Sequence, residues 1–135
     1  MATFTKFNSF VEALAEKVHN LGSDQLVVAL TNTAPVAANS DLSDITEIAY
    51  TNLSSRNVTT SSSAQTAGVY KLTLADLTLT ASGAVPTFRY VVLYNDTAAS
   101  DELIAFWDYG AAVTMADAET FLVDFNQTDG VLTNT

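Results

Sequence analysis

The chain has no cysteine, one histidine, one tryptophan, two prolines and only five glycines in 135 residues. Without cysteine, thiol catalysis, cysteine-ligated zinc and a disulfide framework are excluded. His19 is the sole histidine, so no metal site can be built on several imidazoles. Any Ser/His/Asp triad would have to use it, and no GxSxG elbow is present to supply the nucleophile. Scarce glycine and the lack of a Gly-rich phosphate loop argue against nucleotide chemistry. Basic residues are also few: five Lys and Arg stand against 15 Asp and Glu, for a net charge of −10. After Arg89 no Lys or Arg occurs, while Asp96, Asp101, Glu102, Asp108, Asp117, Glu119, Asp124 and Asp129 follow. Such a surface repels phosphate backbones, so no nucleic-acid partner is expected. The excess acidity reads as solubility or as a docking patch for a basic partner.

What is present is apolar. Hydrophobic residues make up 48% of the chain, enough at this length for one cored domain spanning 1–135. The opening MATFTKFNSFVEALAEKV carries Glu12 and Glu16 inside its pattern and has no continuous apolar stretch. It is therefore not expected to be a signal peptide, and no window reaches the length of a membrane span. The expectation is a soluble chain, made in the cytoplasm, with no membrane partner.

Phe4, Phe7, Val11, Leu14, Val18 and Leu21 recur at three- and four-residue steps, the stripe of a helix. Ser9 and Glu12 have capping-box spacing and Gly22 offers a left-handed stop, which predicts a helix over about Phe10 to Asn20. Phe4, Lys6 and Phe7 then form a lead-in arm, within an N-terminal unit of residues 1–22. From 23 to 135 the period shortens to strands. Gln25 to Thr31 is a nearly unbroken apolar run. Ile45 to Tyr50 reads as a weaker strand, and Arg56 to Tyr70 is mostly Ser, Thr and Ala. Alternation returns at Tyr70, Leu72, Leu74 and again at Leu77, Leu79, followed by FRYVVLY, ELIAFWDY and ETFLVDF. Many short strands with one helix and no βαβ alternation predict a mainly β fold, an antiparallel β-sandwich or jelly-roll-like domain with one N-terminal α-helix.

FRYVVLY and ELIAFWDY predict a hairpin apolar on both faces. A symmetric register sets Tyr94 against Glu102 and Arg89 against Trp107, where a cation–π contact would form. One face then carries Phe88, Tyr90, Val92, Ile104 and Phe106; the other carries Val91, Leu93, Leu103, Ala105, Trp107 and Tyr109. Both need cover. The second must meet the N-terminal helix, a long loop or another subunit. The candidate interface residues are accordingly Phe4, Lys6, Phe7, Phe10, Val91, Leu93, Leu103, Trp107 and Tyr109. Deleting residues 1–7 is expected to leave the domain folded while weakening attachment to a partner.

The carboxylates offer little chemistry. Asp101 and Glu102 are adjacent and would point to opposite faces of a strand, while Asp108 and Asp124 sit at strand ends beside turns. Asp124 to Gly130 has the oxygen-rich look of a calcium loop, but its spacing is one residue too long and no closing Glu follows. A polar turn is the expectation there. No catalytic residue, cofactor or metal is expected.

The segments FNSFVEALAEKVHNLGSDQLVVALTNTAP, DITEIAY, FRYVVLYND, LIAFWDYG and ETFLVDF resemble a group of small virion proteins of tailed bacteriophages. That group often has a glycine before the aromatic pair of LIxxWDYG, where this chain has Ala105-Phe106. The resemblance implies a structural role: a decoration or cement protein on the capsid surface, with the major capsid protein and further copies of itself as partners. Trimers suit threefold capsid positions better than dimers. The alternative is a tail or fibre component binding host glycans through a groove of Tyr94, Trp107, Asp108 and Tyr109.

Overall fold

The apolar run after Gly22 becomes β2 (Leu26–Thr31), and every one of its six residues is buried. A strand apolar on both sides must lie inside a sheet covered on both faces, and β2 does. In the computed structural model, which describes residues 2–135, β2 belongs to a five-stranded antiparallel sheet. The order is β1 (Thr3–Lys6), β8 (Leu103–Met115), β7 (Val85–Asn95), β2 and β3 (Asn57–Val58). Two smaller sheets complete the fold. One runs β10 (Leu132–Asn134), β5 (Val69–Leu74), β4 (Thr60–Thr66); the other pairs β6 (Leu77–Thr80) with β9 (Thr120–Val123). The chain is thus mainly β and antiparallel, with one short helix near its N-terminus.

Two apolar cores lie on opposite faces of the large sheet. The main one joins Leu26, Val28, Leu30, Val91 and Leu93 to Leu72 and Leu74 of β5, Leu79 of β6 and Val123 of β9, a sandwich-like arrangement. The second gathers Phe7, Val27, Ala29, Ile45, Val92, Tyr94, Leu103 and Phe106, with Leu42 against it. Both hairpin faces are therefore covered from within the chain. Strands β5, β6 and β9, with Phe10 of helix α1 (Ser9–Ala15), cover the face of Val91 and Leu93, while Phe7 and the long loop bearing Leu42 and Ile45 cover the face of Val92 and Phe106.

Several sequence expectations are corrected. The helix spans seven residues, not eleven, and Asn8 precedes it without a side-chain cap. Past Ala15 and the C-cap Glu16 the chain turns at Lys17, whose φ of 68° is left-handed. Val18 N–H reaches Ala13 C=O at 2.9 Å and Lys17 N–H reaches Leu14 C=O at 3.4 Å, the paired bonds of a Schellman stop. Gly22, the expected stop, is not among the positive-φ glycines. Residues 45–50 form no strand: Ile45 is buried and the segment runs irregularly along β2. Its polar groups are met by that strand, with Ile48 N–H on Leu30 C=O and Tyr50 Oη accepting from Leu30 N–H. Conversely, the Ser/Thr/Ala stretch contains β4, which turns into β5 through Ala67 and Gly68, both left-handed at φ 52° and 82°. That pair of positive φ angles is the turn that matches strand twist in a two-residue hairpin.

The β7–β8 register is shifted by two residues from the symmetric one: Val91 faces Trp107, Val92 faces Phe106 and Tyr90 faces Asp108. A bulge near the turn pairs Tyr94 with Leu103 and Leu93 with Ala105, leaving Ile104 extra. Ile104 and Ala105 consequently both face the main core, while Leu103 and Phe106 face the second. Arg89 meets Asp108 rather than Trp107, by two hydrogen bonds of 2.8 and 3.0 Å.

Candidate functional site

The nine candidate interface residues separate into two sets. Phe7, Phe10, Val91, Leu93 and Leu103 are buried in the chain's own cores and present no surface to a partner; assigning them to an interface is corrected. Phe4 and Tyr109 are exposed, at 43% and 47%, Lys6 is exposed and Trp107 is half-buried. These four lie at the β1 edge of the large sheet. The arm is itself a strand: Phe4 pairs with Trp107 and Lys6 with Ala105 across β1 and β8.

Around them the structure assembles a strip of aromatic rings. Phe4 packs edge-on to Trp107 at 5.4 Å between centroids, and Trp107 packs edge-on to Phe125 at 5.7 Å. Tyr109 meets Phe121 at 5.2 Å, and Phe121 in turn meets the buried Phe88 at 5.2 Å. Leu122 stands beside them at 52% exposure. Between β8 and β9, Trp107, Tyr109, Phe121, Leu122 and Phe125 line a small apolar cleft of about 140 Å³, with Ala2 and Asp124 also lining it. A second, more polar cleft of about 490 Å³ runs from Phe4 and Trp107 to Val131. Phe121, Leu122 and Phe125 were not singled out from the sequence. ETFLVDF shows the alternation of a strand, but alternation does not say that β9 lies across from Trp107.

Electrostatics set the margin of this strip. Asp108 is held by the Arg89 guanidinium and by Gly110 N–H at 2.8 Å, and these bonds lower its carboxyl below the usual range. Its oxygens are already engaged. Tyr94 lies in the second core, on the opposite face. Tyr94, Trp107, Asp108 and Tyr109 therefore do not share a groove, and Trp107 already has two rings packed against it.

Two polar clusters elsewhere are engaged with backbone. Arg56 donates to Val28 C=O, stacks 3.6 Å from the Tyr50 ring centroid and lies 3.9 Å from Glu47. With Tyr50 it completes the edge of β2 where β3 ends, and burial pushes the Tyr50 hydroxyl pKa up. His19 is buried and contacts Asn95, whose carbonyl accepts from Thr97 and Ala98 N–H. That cluster ties the segment after α1 to the β7–β8 turn. The Asp124–Gly130 stretch is a turn closed by Asn126, which accepts from Thr128 and Asp129 N–H at 2.9 and 2.8 Å.

A comparison with family models, one with curated proteins and one with solved structures each found no match to this chain.

Proposed function

We propose that this chain works by assembly rather than catalysis, as a small structural protein of a tailed-bacteriophage particle, in the role of a head decoration protein that binds the major capsid protein from outside. The observation that carries the assembly reading is the strip formed by exposed Phe4, Tyr109 and Leu122 around half-buried Trp107 and Phe121, beside the β1 edge of the large sheet. Apolar and aromatic side chains clustered in the open are what interfaces draw their binding energy from. The acidic residues after Arg89 would steer a basic partner toward that half of the molecule. The phage setting is supported by the resemblance of the sequence segments. A cement protein needs only modest contacts, because neighbouring contacts on a lattice reinforce each other.

The test is the amount of this chain in particles purified from the phage that encodes it, by quantitative mass spectrometry against the major capsid protein. Copies comparable in number to the capsid protein are expected; a handful would move the chain to the tail and overturn the decoration role. A Tyr109→Ser/Leu122→Ser double variant changes two exposed side chains. It should keep its unfolding midpoint and lose particle binding at least tenfold. Unchanged binding would exclude the strip as the contact.

A further inference from the structure

The sheet edges of this molecule are guarded unequally. β1 carries Lys6, β3 and β10 are only two and three residues long, and β9 is flanked by Glu119 and Asp124. β4 is different. Its seven residues, TSSSAQT, hold no charge and no proline, and among the described residues one of its edges is unpaired. Folded proteins normally blunt such an edge with charge, proline, bulges or shortness, because a row of free N–H and C=O groups templates another strand. Here a single irregularity lies between Thr60 and Ser62, and from Ser62 to Thr66 the strand is regular.

The surroundings leave the edge accessible. Thr60 and Ser63 pair with Leu74 and Leu72, whose side chains enter the main core. Their own inward face is met by the Gly22–Gln25 segment. Ser61, Ser62, Ala64, Gln65 and Thr66 remain exposed, and most are small enough for a second backbone to approach closely.

Charge identifies the occupant. From Ile48 to Ala75 there is no acidic residue, although the chain as a whole carries −10. The two basic residues of that stretch are engaged, Arg56 on Val28 C=O and Lys71 on Thr128 C=O at 2.9 Å. Asp24 lines a cleft beside Thr60, but its carboxylate is engaged by Asn20 N–H and the Asn95 amide, so a basic partner finds little free counter-charge on this edge and is drawn to the acidic half instead. Two copies of this chain, each at −10, repel each other, and the uncharged β4 strand adds nothing to that repulsion.

We infer that β4 pairs edge to edge with β4 of a second copy, antiparallel about a twofold axis near Ser63 and Ala64. Two three-stranded sheets then become one six-stranded sheet. The contact is isologous and closes at two copies, not at the three that a threefold capsid position would suggest. It goes beyond the decoration reading, because it does not involve the aromatic strip and requires no capsid.

Sedimentation equilibrium across a wide concentration range tests it. The mass of the wild-type chain should rise from 14.3 kDa toward twice that value. Ala64→Glu places two carboxylates across the axis and should weaken the dimer at least tenfold. Ala112→Glu, the same change at an exposed site on β8, should leave it unchanged. Since the chain has no cysteine, an Ala64→Cys variant can cross-link only between copies and should do so on mild oxidation, whereas Ala112→Cys should not. A wild-type mass of 14.3 kDa throughout, or equal weakening by the two Glu variants, would overturn the pairing. Dimer loss with intact particle binding would separate this contact from the decoration reading.

Discussion

His19 shows how much a single buried side chain can fix. Asn95 donates through one amide nitrogen to Asp24 at 2.7 Å and to His19 Nδ1 at 3.0 Å. Nδ1 must then accept, which puts the proton of a neutral ring on Nε2, a buried atom with no partner among the described residues. Burial lowers the His19 pKa from 6.5, against the opposing pull of Glu102 and Asp24. The folded chain thus binds fewer protons at His19 than the unfolded one. The stability this provides is full above the ordinary histidine value and declines as pH falls through it. The urea midpoint should drop between about pH 7.5 and about pH 5.5, and His19→Gln, which keeps an acceptor but does not titrate, should flatten that slope. An unchanged slope would assign the effect to other groups. Burial also separates two aromatic residues. Phe7 is 0% exposed, so Phe7→Ala should cost about 3–5 kcal/mol, whereas half-buried Trp107→Ala should cost less, about 2 kcal/mol. Equal losses by chemical denaturation would contradict the difference in burial.

At the scale of elements, helix α1 stops where the chain must turn, not where its apolar stripe ends. The stripe runs on to Leu21, but the Schellman turn at Lys17 takes the chain off the helix axis and lets His19 reach Asn95. Lysine is poorly suited to φ of 68°. Lys17→Gly should therefore raise stability by about 0.5–1 kcal/mol, read as a higher unfolding midpoint; a lower one would mean the Lys17 side chain has a role of its own. The N-terminal arm is a structural element and not a loose anchor. Removing residues through Lys6 strips an edge strand from β8, and removing one residue more takes Phe7 out of the second core. The midpoint should fall for the first truncation and much further for the second. Two equally stable truncations would return the arm to the role of a free anchor.

The whole molecule is electrically lopsided. Its last 46 residues hold eight acidic side chains and no Lys or Arg, while residues 48–75 hold no acid at all. Association between two such chains works against long-range repulsion, and salt screens that repulsion. Dimerisation through β4 should strengthen as ionic strength rises, whereas capture of a basic partner by the acidic half should weaken. Sedimentation and particle-binding assays over the same salt series read the two signs. A dimer that dissociates with salt would point to ion pairs at its contact and away from the uncharged edge.

Strand periodicity, composition and missing residue types were enough to read a mainly β, antiparallel chain without cysteine chemistry, because alternation and burial are local properties of the chain. β2 is legible in LVVALT, and β5 and β6 are legible from Tyr70 to Leu79, since apolar side chains must be covered wherever they occur. The two-sided apolar character of FRYVVLY was equally plain. Which partner covers each face was not. That depends on a bulge at Ile104, a two-residue register shift and a long loop folding Leu42 and Ile45 onto the sheet. None of these has a periodic signature, because each is set by contacts between residues distant in sequence. The same holds for the aromatic strip: Phe4, Trp107 and Phe121 belong to three strands, and only tertiary packing brings them to one edge and leaves it open.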